Sequence, residues 1–172
     1  MHYSFGTNSF TDYWDSVQRK VAVFLTDPLN EELAVECAGK LWHLCDWYYE
    51  EYKNNLPYKQ LSDLQGYVGS ECPSLRVMRD ICNGSKHASL DKTRTPVIRK
   101  TQVHQGAFSS GFSRGFDISM LEVELVDGSI VDFDNAVKLS IDYWTGKLSL
   151  TNKSTLLPPF GLPPDPLRGP VI

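Results

Sequence analysis

Apolar residues recur every three or four positions through the N-terminal half of the chain, the spacing of a helix with one buried face. Trp14, Val17, Val21 and Phe24 mark a first helix. Thr11 is its expected N-cap, and Asp12 and Asp15 suit the positive end of its dipole. Residues before Thr11 look loosely ordered, and Asp27-Pro28 ends the helix, because the residue before a proline is pushed out of the helical region. Asn30 should cap a longer helix in which Leu33, Cys37, Leu41, Leu44, Tyr48 and Tyr52 form one stripe, closed by Asn54-Asn55-Leu56-Pro57. A shorter helix over Lys59 to Val68 carries Leu61, Leu64 and Val68. Pro73 opens a fourth, with Leu75, Met78, Ile81 and Cys82 facing inward.

The period changes after His87. Val97 to His104 alternates loosely and is rich in β-branched residues, as a strand would be. A Gly/Ser/Phe loop spans 105 to 116, and Ile118 to Val126 reads as a strand. Asp127-Gly128 is a hairpin turn, and Ser129 to Phe133 returns. Asp134 should cap a last helix with Val137, Ile141, Trp144 and Leu148 on one face. The pattern predicts an α+β fold: a helical bundle of about five helices with an inserted small antiparallel β-ribbon at about 97–133. Residues 1–150 form one helical domain in this reading. Six of the ten prolines fall at 158, 159, 163, 164, 166 and 170, so 151–172 is expected to be an extended, Pro-rich tail.

Composition changes this picture little. With 172 residues and 41% apolar content the chain suits a single packed core, in which the four tryptophans, all in expected helices, dominate. No apolar run is long enough to span a bilayer, and MHYSFGTNSF lacks a basic region followed by an apolar core, so a cytoplasmic protein without a membrane partner is expected. Cys37, Cys45, Cys72 and Cys82 contain no Cys-x-x-Cys pair and read as reduced packing residues; no cofactor or metal is expected. Charge is unevenly spread. From Lys86 to Arg114 six basic residues meet one acid, Asp91, a net +5; the chain carries −4, which leaves −9 elsewhere. A basic segment on an acidic body attracts an anion or serves as a solvated loop.

Candidate chemistry concentrates at Arg76 to His87. On a continuous helix Arg76, Arg79, Asp80, Asn83, Lys86 and His87 share a stripe roughly 120° wide. Arginine and lysine stabilise a phosphate-like anion, histidine moves a proton near neutral pH, and asparagine and aspartate orient the others. The same stripe also suits the solvent face of an amphipathic helix, with Lys86 and His87 at its negative end. His43 lies off the main apolar stripe, beside Asp46, Trp47 and Glu50, and would meet the Arg79 helix if the two are antiparallel neighbours.

The helical half and the run Arg79-Asp80…Lys86-His87 resemble the HEPN superfamily (higher eukaryotes and prokaryotes nucleotide-binding). Trp42-His43-Leu44-Cys45-Asp46-Trp47 and Arg79-Asp80…Asn83-Gly84-Ser85-Lys86-His87 are also similar to stretches in a group of small bacterial and phage proteins. The HEPN resemblance implies a homodimeric helical bundle acting on RNA or another phosphoester, as a metal-independent RNase of a defence, toxin or phage system. In that scheme His87 is the general base, Arg79 stabilises the developing phosphorane charge, and Asp80 and Asn83 orient them. Arg76, Lys86 and His43 would bind. His87 follows Arg79 after seven intervening residues, one more than the HEPN signature spans. The acidic body, the aromatic content and the proline tail suit a second class, a non-enzymatic interaction protein of a mobile element or phage that binds a host protein.

Overall fold

In a computed structural model, the described residues are 6–86, 95–108 and 117–151. They form five α-helices and one three-stranded antiparallel sheet, in the order α1 (Phe10–Thr26), α2 (Glu31–Tyr52), α3 (Leu61–Glu71), α4 (Pro73–Lys86), β1 (Ile98–His104), β2 (Met120–Leu125), β3 (Ile130–Asp132) and α5 (Phe133–Thr151). The α+β, mainly helical architecture expected from the sequence is the one observed. The Pro-rich 152–172 lies outside the described residues.

The central element is α2, packed on α1, α3, α4 and α5. Asn30 caps it: Asn30 Oδ1 accepts the Leu33 amide at 3.1 Å. Cys37, Leu41, Leu44 and Tyr48 of its stripe are buried, as are Val17, Val21 and Phe24 from α1. Trp144 of α5 lies against Tyr48, ring centroids 6.0 Å apart, and Phe133 meets Phe24 edge-on at 5.4 Å. Full burial of one such side chain contributes about 1.5–3 kcal/mol.

Several boundaries differ from expectation, each for a local reason. Ser9, not Thr11, caps α1: Ser9 Oγ accepts the Asp12 amide at 3.1 Å and Asp12 Oδ2 accepts the Ser9 amide in return, a capping box. The helix therefore starts earlier and buries Phe10, whose amide donates to Glu51 Oε2 at 2.6 Å. In α5, Asp134 stands inside the first turn and takes Lys138 at 3.0 Å, one turn on, instead of capping. The third helix runs later than expected, with Asp63 Oδ2 accepting the Gln60 amide at 3.2 Å to fix its start.

The sheet order is β1-β2-β3. The loose alternation of β1 has a structural cause. The β1–β2 register shifts between Ile98 and Lys100, a bulge at Arg99, so Ile98 pairs with Leu125 while Thr101 pairs with Val123. Val123 is buried beneath the sheet, whereas Gln102–Glu122 and Arg99–Glu124 are joined across the outer face at 2.9 and 3.0 Å. The β2–β3 hairpin turns at Asp127-Gly128, where Gly128 adopts φ +86°, a left-handed conformation natural to glycine.

Candidate functional site

Helix α4 is continuous through Gly84 to Lys86, so the members of the expected stripe from Arg76 to Lys86 stand on one helix. Its members do different things. Asp80 is 5% exposed. Its Oδ2 accepts the amides of Val97 and Ile98 at 2.5 and 3.3 Å, and its Oδ1 lies 2.7 Å from both Nε and Nη2 of Arg79. Arg79 Nη2 also donates to the Thr95 carbonyl at 3.4 Å. The pair thus fastens the entry of β1 to α4, and the charge of Arg79 is met by its neighbour. This is the work of a buried polar clamp, which accepts two backbone amides where the strand begins.

Arg76 is exposed, its aliphatic stem lying over Gly69 of α3; a Cβ built on that glycine would stand 3.0 Å from Arg76 Cγ. Asn83 is half-buried on the same side of α4. Lys86 is the last described residue of α4, and His87 lies outside the described residues. The structure therefore brings Arg76 and Asn83 to one outer face and turns Asp80 and Arg79 toward the sheet.

His43 does meet the Arg79 helix, through a residue the sequence reading placed only in the core. Helices α2 and α4 pack side by side, and His43 Nε2 lies 3.6 Å from Cys82 Sγ. On the other side of the ring, Nδ1 is 2.6 Å from Asp46 Oδ2, and Gln65 Nε2 donates to Asp46 Oδ1 at 3.1 Å. The hydrogen bond to Asp46, then that to Cys82, raises the His43 pKa to about 9, against an opposing cost of burial. The imidazole is consequently a cation at neutral pH, about a third exposed. Trp47, one turn on, stacks on Tyr13 with centroids 5.0 Å apart, and Lys40, one turn back, stands 5.2 Å over the same Tyr13 ring. Burial, with Asp46 and Cys82 close by, pushes the Tyr13 phenol well above its ordinary range.

None of the four cysteines is in a disulfide, and all four are buried. Burial lifts Cys37 to about 12 and carries Cys45 and Cys72 upward as well. Cys82 differs from these three in facing an imidazole. His104, which no motif in the sequence marks, sits 2.6 Å from Asp117 and 3.7 Å from Glu122 at the sheet's outer face. Among the described residues no group of three or more His, Cys, Asp or Glu is arranged to hold a metal ion, and no helix is long and apolar enough to cross a membrane.

Comparison with protein-family models, with curated proteins and with solved structures finds no match to this chain.

Proposed function

We propose that the protein acts on RNA or another phosphoester at the outer face of α4, as its HEPN resemblance implies. The observation that supports this reading is Arg76, an exposed guanidinium that makes no ion pair among the described residues. It stands on the side of α4 that leads through Asn83 toward Lys86. An unpaired arginine fork suits a phosphate. The chain then enters its basic segment, and His87 supplies the base. In this scheme a 2′-hydroxyl loses its proton to His87 and attacks the adjacent phosphorus, and the 5′-oxygen leaves. Arg79 and Asp80 support the face from beneath instead of touching substrate. A second copy would complete the site in the manner of a HEPN dimer.

The test is RNA binding and cleavage without added metal. Wild type should cleave; His87→Ala should abolish cleavage with its melting curve unchanged; Arg76→Ala should weaken binding and make it less salt-dependent. Wild-type protein that neither binds nor cuts RNA at high concentration overturns the reading. Light scattering that shows only monomer at micromolar concentration removes the shared-site form of it.

One observation favours the interaction-protein reading. Val126 and Ile130 flank the β2–β3 turn at 59% and 60% exposure, an apolar tip of the kind that docks on another protein. Loss of a biological effect on changing both to serine, with RNA binding intact, would select it.

A further inference from the structure

The outer face of α4 leaves the Asp46–His43–Cys82 line unused. That line has the order of an activated nucleophile: thiol, imidazole, orienting carboxyl. Sγ to Nε2 is 3.6 Å and Nδ1 to Oδ2 is 2.6 Å, with Gln65 holding the second oxygen of Asp46. At 1% exposure Cys82 is closed to a peptide, a nucleic acid or a bulky reagent. A small oxidant would have to reach it through the packing beside it. Among the described residues a Cβ built on Gly39 of α2 meets only Cys82 Sγ, at 3.8 Å, so the missing side chain leaves about a methyl's worth of room beside the sulfur. Gly39 itself is only half-buried, so this side of the sulfur is the one that lies beside a partly exposed residue.

We propose that Cys82 is a peroxide-oxidisable thiol, activated by His43 and reached past Gly39. In the step, the Cys82 sulfur attacks one oxygen of hydrogen peroxide. The S–O bond forms and the O–O bond breaks, so the sulfur loses two electrons and the peroxide gains them. Cys82 reacts as its thiolate, its own proton having gone to solvent. The departing hydroxide takes the Nε2 proton of His43 and leaves as water, and the imidazole regains a proton from solvent. The product is a sulfenic acid, which a dithiol returns to the thiol. Asp46 fixes the ring so that Nε2 faces the sulfur, and the cationic imidazole stabilises the thiolate that reacts. Cys37, Cys45 and Cys72, whose thiols are pushed up by burial, are controls within the same chain. The site does not rest on the RNA reading, since RNA cleavage can fail while Cys82 oxidises.

The experiment exposes the full-length protein to hydrogen peroxide, quenches with catalase, unfolds it and alkylates with iodoacetamide. Peptide mass spectrometry then reads which cysteines have lost alkylation and which regain it after dithiothreitol. Cys82 should be protected from alkylation at least tenfold faster than the other three, reversibly. His43→Gln should slow it tenfold, and Gly39→Ala, which fills the room but keeps the imidazole, severalfold. Asp46→Asn, at a half-exposed position, gives a second reading of the relay if His43→Gln fails to fold. The proposal is overturned if Cys82 oxidises no faster than Cys72, or if the relay and Gly39 variants all oxidise at the wild-type rate.

Discussion

Replacing Asp80 by alanine should unfold this protein far more readily than replacing any solvent-facing residue of α4. The carboxyl is 5% exposed and receives the Val97 amide at 2.5 Å, the Ile98 amide at 3.3 Å and the Arg79 guanidinium at 2.7 Å. Alanine strands all of these at once. An unpaired buried amide costs about 1–3 kcal/mol, and removal of one partner from a buried ion pair about 3–5 kcal/mol. One carboxyl serves every donor, so these figures overlap and do not add; the expected loss is about 3–5 kcal/mol. For a chain of this length that lowers Tm by roughly 6–20 °C. Asp80→Asn, which keeps the shape but turns an amide toward the donors, should lose roughly half as much. Arg79→Ala should lose about 1–3 kcal/mol, because Asp80 keeps its two amides. Urea titration followed by tryptophan fluorescence gives each value, and the double variant gives a coupling of about 1–3 kcal/mol. Hydrogen exchange at Val97 and Ile98 should accelerate in Asp80→Ala. A change within about 0.5 kcal/mol, the scale of surface substitutions, would refute the clamp and return Asp80 to the catalytic role its motif suggests.

Four further outcomes are expected. The His43 pKa is raised to about 9, so the bond to Asp46 stabilises the fold fully below about pH 6.5, the unfolded value, and fades as pH rises through 9. The wild-type Tm should fall over that window relative to Asp46→Asn, and the His43 ring proton should titrate by NMR near its upper end. Gly106→Ala should lose about 1–3 kcal/mol in urea melts, because its Cβ would lie 2.3 Å from the Ile118 carbonyl carbon, backbone that no rotamer can move. Gly69→Ala should instead be neutral or gain up to about 1 kcal/mol, since among the described residues its new methyl meets only the exposed, flexible stem of Arg76. Tyr143→Phe should be neutral or stabilising in the same melts, because the Tyr143 hydroxyl is buried without a hydrogen-bond partner among the described residues.

Where local spacing decides, the sequence was a good guide. The helical faces of α1 and α2 are set by period, and Asn30 and Asp127-Gly128 act through neighbours one to three residues away. The misread ends are also local. Ser9 and Thr11 are both good caps, and only Ser9 has an acid three residues on that closes a capping box. The α4 stripe is legible in the sequence as a direction on a helix from Arg76 to Asn83, but not as an environment. A wheel cannot say that the strand entering at Val97 arrives on the Asp80 edge and leaves Arg76 in water. The His43–Cys82 contact likewise depends on how α2 and α4 lie together, and each residue alone reads as ordinary packing. His87, the base in the HEPN scheme, falls outside the described residues, so its role rests on that resemblance.

The position of α5 bears on how the chain is made. Phe133 and Trp144 cover Phe24 and Tyr48, rings contributed by the first two helices. A ribosome releases those helices long before it supplies their lid. A nascent or truncated chain that stops short of α5 therefore presents Phe24 and Tyr48 to water, together with the underside of the sheet around Val123. Such a chain is sticky by construction, an obvious client for chaperones, and early stop codons in this gene should yield insoluble product instead of a shortened working protein.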